Sequence, residues 1–366
     1  MRFCCINVSK SKQDFHDSPA VKNVKIFSYK EIKAATNNFG RSNKLGQGGF
    51  GIVYKGQLTD GINIAAKVLA TESEQGEKEF MTEIESIADV KHNNLVMLLG
   101  CSIQRCNRVL IYEYVANNSL DRLLLGSTNG EINLTWDLRS AICKGTACGL
   151  SYLHDELEPP IVHRDIKASN ILLDQNFVPK IGDFGLAKLF PNGISHISTR
   201  VVGTYGYLAP EYAVHGQLTK KADVYSFGVL LLEVTSGKRI SQSYNIHDSE
   251  MFLVQRAWHL YEKQRLLDLV DPNLKDYPEE EVLRYIKVAL FCTQCAANKR
   301  PFMRQVVEML SRPIKLNEEE LKHTCSIKDM IGCEAKGALS SMFVSNSAVW
   351  PPMNSSSFTH SQIIPR

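Results

Sequence analysis

With 366 residues, 44% of them apolar and 22% charged, the chain is too long for one hydrophobic core and has an ordinary soluble make-up. Two lobes or domains are therefore expected, and a net charge of +3 is too small to point to nucleic acid. No apolar run reaches the ~18 residues of a membrane span: the longest, Phe227 to Val234, is broken by Gly228 and Glu233. The first residues lack the apolar stretch of a secretory signal, so the ten cysteines read as reduced thiols of an intracellular chain. Cys292-x-x-Cys295 has no second ligand pair and does not suggest zinc.

In chain order, residues 1–26 are polar and read as a flexible extension. Cys4 and Cys5 lie beside basic residues with no glycine at position 2. That pattern excludes myristoylation and leaves two readings open, S-palmitoylation with peripheral membrane association or an unmodified start. Residues 27–38 form a helical entry, with helical spacing at Ile32, Ala35 and Phe39. From Leu45 to Leu69 short β-type runs follow, and Thr59-Asp60-Gly61 marks a hairpin turn. Phe80, Ile84, Ile87 and Ala88 give one face of a helix, after which Leu95–Leu99 and Val109–Tyr114 read as strands. Beyond Asn117 the pattern is mostly helical. Leu138, Ile142, Leu150 and Leu153 mark one helix, ended by Pro159-Pro160, and Val224–Val234 is apolar nearly all round, as in a buried helix. Helical spacing continues to about Leu310, and the tail 313–366 turns rich in Ser, Asn and Pro and reads as disordered.

Chemistry enters at Gly46-Gln47-Gly48-Gly49-Phe50-Gly51, a loop whose glycines let backbone N–H groups approach phosphates. A dinucleotide-binding loop would lead into a helix; this one leads into a strand, as in a flap over ATP. One hairpin later stands Lys67, and on the next helix Glu83 lies between Phe80, Ile84 and Ile87 and so faces inward. A Lys–Glu pair of this kind holds an ammonium against nucleotide phosphates. In His163-Arg164-Asp165-Ile166-Lys167-Ala168-Ser169-Asn170, Asp165 can accept a hydroxyl proton, Lys167 can reach a γ-phosphate and Asn170 offers an amide oxygen to a metal ion. Asp183, in Asp183-Phe184-Gly185, is a hard carboxylate suited to Mg²⁺.

From Phe39 to Leu310 these motifs, in this order and spacing, resemble a eukaryotic protein kinase. The resemblance implies an α+β bilobal fold over 39–312. It has a small β-sheet N-lobe with one main helix (39–114) and a larger, mainly helical C-lobe (115–312). The hinge falls at Tyr112 to Val115. ATP and Mg²⁺ are the implied cofactors. The implied nucleotide set is Leu45, Gly46, Gln47, Gly48, Gly49, Phe50, Gly51, Val53, Ala65, Lys67, Tyr112, Glu113 and Val115; the implied metal ligands are Asn170 and Asp183. The implied catalytic residues are Asp165, Lys167, Lys67 and Glu83. The resemblance also pairs Glu211, of Ala209-Pro210-Glu211, with Arg300, and makes Asp223 the anchor of the catalytic loop.

Phe27-Ser28-Tyr29-Lys30-Glu31-Ile32, then Ala34-Ala35-Thr36-Asn37-Asn38-Phe39, resemble the entry to plant receptor-like kinase domains. Gly203–Tyr212 and Lys221–Gly228 resemble the same group. With neither ectodomain nor span, the expectation is a receptor-like cytoplasmic kinase similar to the cold-responsive protein kinases. It would act on protein substrates below an upstream receptor kinase, in the cytoplasm or at the inner face of the plasma membrane. Lys167, two residues past Asp165, follows the serine/threonine pattern, with tyrosine as a minor possibility. Arg164 is expected to meet a phosphate on the activation segment, where Ser195, Ser198 and Thr199 are candidates and Thr204 is expected against the catalytic loop.

Two departures stand out: Cys148 replaces a common arginine, and Ala66 replaces a larger residue in Ile64-Ala65-Ala66-Lys67. The latter is expected to remove core volume beside the nucleotide, at ~1–3 kcal/mol. The rival readings are a pseudokinase scaffold, which commonly loses a catalytic residue, and a nucleotide-dependent oxidoreductase.

Overall fold

A computed structural model describes residues 24–48, 51–69, 74–125, 134–240, 244–246 and 249–321. Cys4, Cys5, Gly49, Phe50 and the tail beyond Leu321 lie outside the described residues.

The N-lobe is a five-stranded antiparallel sheet of β1 (Lys44–Gly48), β2 (Gly51–Gln57), β3 (Asn63–Leu69), β5 (Asn107–Glu113) and β4 (Leu98–Gln104), in that spatial order. The β2–β3 hairpin turns at Asp60-Gly61. Gly61 takes φ +87°, and Asp60 Oδ1 accepts the Ile62 N–H at 3.1 Å, both favourable for a tight turn. The expected strand over Leu95–Leu99 starts later, at Leu98. Before it the chain is drawn aside to the C-lobe, where Val96 N–H donates to the Ile181 carbonyl at 2.9 Å and Ile181 N–H to that of Asn94 at 2.9 Å.

Strand alternation divides the sheet into two faces. Leu110, Tyr112 and Ala65 point to the inner face, under helix α2 (Glu74–Ile87), with Phe80, Ile84 and Ile87. Ile64, Ala66, Val109 and Ile111 point to the outer face, against Phe27 and Ile32. Ile32 lies on the seven-residue helix α1 (Tyr29–Ala35), capped by Ser28, whose Oγ accepts the Glu31 N–H at 3.1 Å. The expectation for Ala66 is therefore corrected. Because Lys67 faces the cleft, its neighbour must face away, and the small side chain at 66 lies under the N-terminal segment rather than beside the nucleotide.

The chain joins the fold before residue 27 and leaves it after 312. Phe27 N–H donates to the Cys101 carbonyl at 2.8 Å and Cys101 N–H to that of Lys25 at 2.9 Å, so residues 25–27 line the edge of β4. At the other end Leu321 is buried in the core and Lys287 Nζ donates to Glu318 at 2.6 Å.

Gly100 shows how close the N-terminal segment lies: a Cβ there would stand 2.2 Å from the Lys25 carbonyl oxygen and 2.6 Å from the Phe27 ring. Gly100→Ala is expected to displace residues 25–27 and lower stability by ~1–3 kcal/mol. Thermal melting checks this, and a wild-type melting temperature would count against it.

The C-lobe is built around α6 (Lys220–Ser236), in which every residue from Ala222 to Ser236 is buried, as its all-round apolar sequence predicts. Helices α4 (Trp136–Ser151), α7 (Leu253–Glu262) and α8 (Glu279–Cys292) pack against it, α9 (Met303–Ser311) packs on α4 and α8, and α3 (Leu120–Leu125) and α5 (Pro210–His215) lie outside. Between α4 and α5 the chain forms short paired strands, β6 (Ile161–Val162) with β9 (Lys188–Leu189) and β7 (Ile171–Leu173) with β8 (Pro179–Ile181). The loops joining them carry residues 163–170 and 183–185.

Candidate active site

On the N-lobe side, β3 and α2 bring Lys67 and Glu83 together although 16 residues separate them. Lys67 Nζ lies 2.5 Å from Glu83 Oε1 and 2.7 Å from Asp183 Oδ1, and all three groups converge on one point between the lobes. Burial alone would lower the Lys67 ammonium, but Asp183 and Glu83 outweigh it and hold its pKa above the ordinary value. Burial pushes Glu83 up to about 7, with Lys67 pulling the other way. Burial would likewise raise Asp183, yet the charge and hydrogen bond of Lys67 keep it below its ordinary value, hence ionised.

Glu83 has a second partner that the sequence did not reveal. The Tyr112 hydroxyl donates to Glu83 Oε2. Tyr112, expected as a nucleotide residue at the hinge, thus points its phenol into the back of the site and steadies α2. Tyr112 and Leu110 alternate with outward-facing Ile111, and that alternation is the only hint of it in the sequence.

The other expected nucleotide residues that are described lie on β1, β2 and β3 and at the hinge. Gly46 and Gly48 have open space where a Cβ would stand. Gly51 is different: at φ +143° its Cβ would fall 2.2 Å from the Val68 carbonyl oxygen, so the β2–β3 crossing itself demands glycine. Gln47 accepts from Lys44 Nζ at 2.7 Å. Leu45 is partly exposed, Val53, Ala65 and Val115 are half-buried, and Glu113 turns its carboxylate away to Met97 and Lys180.

On the C-lobe side the catalytic-loop sequence is held from below. Asp223, fully buried on α6, accepts the N–H groups of His163 at 2.7 Å and Arg164 at 2.8 Å, and its Oδ2 meets His154 Nε2 at 2.9 Å. Burial would raise the Asp223 pKa; these bonds and nearby histidines hold it below the ordinary value. His154 had no sequence signal beyond being a polar residue in an apolar stretch. The fixed backbone bends sharply: Arg164 and Asp183 both adopt left-handed φ, +68° and +64°, conformations found where a structure constrains its functional residues.

Asp165 is buried and carries three contacts on its carboxylate. Thr204 Oγ1 donates to Oδ1 at 2.6 Å, and Lys167 Nζ and Asn170 Nδ2 reach Oδ2 at 2.8 and 3.1 Å. Lys167 also donates to Thr204 Oγ1 at 2.8 Å. The Asn170 amide nitrogen is committed to Asp165, including its carbonyl at 2.8 Å, which turns the amide oxygen the other way. Asn170 is tied to the loop of Asp183 through Gly182 N–H, which donates to the Asn170 carbonyl at 2.9 Å. A carboxylate held ionised and an oriented amide oxygen form a donor set that fits a hard divalent cation.

The activation segment closes the site. Its far end is clamped by Arg300, whose fork meets both oxygens of Glu211 at 2.8 and 2.7 Å. Tyr207 donates to Glu233, and Ser226 Oγ to the Tyr207 carbonyl at 2.7 Å, so α6 also holds the stretch carrying Thr204. Ser198 is exposed in β10 (Ile197–Ser198), which pairs with β11 (Gln217–Leu218), and Thr199 N–H donates to the Gly216 carbonyl at 3.1 Å. Ser195 is exposed, and Arg164 Nε donates to the Leu186 carbonyl within the segment.

A two-lobed chain with this cleft belongs to the protein kinase family: the protein kinase domain matches residues 39–310. It is 50% identical over 321 residues to Cold-responsive protein kinase 1 of Arabidopsis thaliana, covering 87% of this chain and 82% of that protein. Over 293 residues it is 51% identical to a probable LRR receptor-like serine/threonine-protein kinase of the same plant, covering 80% of this chain but 28% of the relative. A probable leucine-rich repeat receptor-like serine/threonine-protein kinase, also from Arabidopsis thaliana, is 47% identical over 321 residues, covering 87% of this chain and 31% of that relative. The chain thus spans most of the first relative and under a third of the other two. Among the described residues no helix is long and apolar enough to cross a membrane.

Proposed function

We propose that this kinase transfers the γ-phosphoryl of ATP to serine and threonine hydroxyls of proteins, with Asp165 as the base. The observation that carries the reading is the convergence of Lys67, Glu83 and Asp183 on one side of the cleft and Asp165, Lys167 and Asn170 on the other.

The hydroxyl oxygen forms a bond to the γ-phosphorus as the bond to the ADP oxygen breaks, and the hydroxyl proton passes to the Asp165 carboxylate. Lys67, kept in place by Glu83 and Tyr112, holds the α- and β-phosphates. Lys167 meets the γ-phosphate, and the glycine loop and the 112–115 hinge hold the rest of the nucleotide. Asp183 and Asn170 would hold Mg²⁺, which neutralises charge developing on the phosphate oxygens.

Lys167 beside Asp165 and the serine/threonine names of the relatives support the choice of hydroxyl. The likeness to a cold-responsive kinase and to receptor-like kinases supports a role in plant stress or receptor signalling, with a receptor kinase upstream. Anchorage at the plasma membrane through Cys4 and Cys5 rests on the sequence alone. We extend the reading to a switch: phosphate at Ser198 or Thr199 would add charge-assisted hydrogen bonds to Arg164, which already donates to the segment at Leu186.

The test is phosphate transfer from labelled Mg-ATP to a generic protein substrate, followed by phosphosite mapping. Label on serine and threonine is the expected result, falling sharply when Ser195, Ser198 and Thr199 are all alanine. ATP binding without transfer would favour the scaffold, and full activity of the triple variant would sink the switch.

A further inference from the structure

Charge is spread unevenly along the chain. Residues 1–44 hold nine Lys and Arg against three Asp and Glu, in a chain that has 42 against 39. All of the positive excess therefore sits at the start, and the remainder is slightly acidic. Part of that excess is gathered on one surface of the fold. Lys25, Lys30 and Lys33 are exposed on the segment that covers the outer face of the N-lobe sheet. On α1, Ile32 turns inward to Ile64, Ala66, Val109 and Ile111, while Lys30 and Lys33, three residues apart, share the solvent side. Lys25 Nζ stands 4.5 Å from the centre of the Phe27 ring, and Phe27 packs in the same cluster as Ile32. The third ammonium is thus brought beside the other two.

These cations have little to neutralise them. None of the three makes an ion pair among the described residues. Glu31, the only acid in 24–44, is half-buried. Asp60, on the β2–β3 turn, folds back onto the Ile62 N–H. The face therefore keeps a positive potential that an anionic partner would relieve.

The neighbouring side chains suit lipid better than nucleic acid. The large apolar groups left half exposed at its margins are aliphatic, Ile26 at 48% and Ile62 at 51%. The aromatic rings on which bases would stack are turned inward: Phe27 is buried, and Tyr29 and Phe39 pack on the same cluster. Lys67 projects from the opposite face of the sheet, so a surface lying against α1 leaves the cleft uncovered.

We propose that Lys25, Lys30 and Lys33 form a docking face for an anionic phospholipid bilayer, against which the N-lobe lies with its cleft turned away. This deepens the anchorage reading given above without needing it, because the face is built from folded residues and acylation concerns Cys4 and Cys5. The two would reinforce each other, since one acyl chain holds a protein only marginally and a basic patch supplies the second signal.

The test is sedimentation of the full chain with vesicles of phosphatidylcholine, either alone or with about one-third phosphatidylserine, at about 0.1 M salt. Every protein carries Cys4→Ser and Cys5→Ser, so that no acyl chain contributes. Binding is expected to the anionic vesicles only, weakening as salt rises. Lys25→Gln/Lys30→Gln/Lys33→Gln should lower the partition coefficient roughly a hundredfold, at about fivefold for each lysine near an anionic surface. A control triple, Lys263→Gln/Lys275→Gln/Lys315→Gln, removes the same charge from exposed C-lobe positions and should stay within about threefold. Both triples should melt near the wild-type temperature and transfer phosphate to a soluble substrate at the wild-type rate, since no altered side chain touches the site.

Equal losses in the two triples would reduce the effect to net charge and overturn the face. Wild-type binding by the N-lobe triple, or equal binding to neutral vesicles, would overturn it too, as would capture of RNA or a soluble acidic protein with no vesicle binding. In cells, a membrane fraction lost with the cysteines but kept by the lysine triple would leave acylation standing and remove the face, so the two readings fail separately.

Discussion

Asp165→Asn is expected to slow phosphate transfer by at least ~10²-fold while nucleotide affinity stays within about threefold, since the groups proposed to hold the nucleotide lie elsewhere. The substitution preserves shape and removes charge. Asparagine can still meet Thr204 and the amide of Asn170, but it has no site for the hydroxyl proton, and Lys167 loses the carboxylate 2.8 Å away. Two effects therefore push the same way: the base is gone, and the lysine meant for the γ-phosphate is less well aimed. Lys67, Glu83 and the hinge are untouched. Single-turnover transfer and an ADP titration on the same preparation separate the two quantities. An equal fall in affinity would mean that Asp165 also holds nucleotide, against the division of roles proposed.

Arg300→Ala is expected to destabilise the fold by ~3–5 kcal/mol, the cost of stranding a paired buried charge. That is a large share of the ~5–15 kcal/mol that holds a typical domain together. The Arg300 side chain is fully shielded. Besides both Glu211 oxygens it serves the carbonyls of Gln294 at 2.7 Å, Lys221 at 3.0 Å and Cys295 at 2.9 Å, and its guanidinium stands 5.1 Å from the Tyr225 ring. Removing it leaves a carboxylate and three carbonyls facing a cavity. The intact pair need not stabilise by that amount, because desolvation offsets most of its attraction. Arg300→Lys should recover little, since a point ammonium cannot replace a five-donor fork. Urea denaturation gives the measurement, and a loss under about 1 kcal/mol would show that water enters and satisfies these groups. The end of the activation segment, freed from its anchor at Glu211, should lose activity alongside.

Much of the site was legible because its parts are short and their chemistry is local. The segment 163–170, Asp183-Phe184-Gly185 and the glycine loop each bring several functional groups within a few residues. Glu79 is buried one turn away on the same face as Glu83, and the contact with Lys67 is what singles out Glu83. Helix phase set Glu83 apart only from Glu77 and Glu85, which are exposed, because Phe80, Ile84 and Ile87 mark the buried face. The all-round apolar run 224–234 announced α6 for the same reason. Ala66 is instructive in the other direction. Period-two alternation from Lys67 already puts it on the far face of the sheet, and the expectation of a gap beside the nucleotide overlooked that rule.

What composition, period and motif order determined by themselves was the class of protein, the two-lobed plan and nearly every residue proposed for the chemistry. These follow from interactions between neighbours along the chain, or from residue types whose chemistry has few alternatives. Only the tertiary structure decided that Tyr112 braces Glu83, that His154 meets Asp223, that Glu113 reaches Lys180, and that Gly100 makes room for residues 25–27. Each joins groups brought together by sheet register or helix packing across 29 to 75 positions. Such contacts leave no periodic trace, because a side chain's partner depends on where the rest of the core places it.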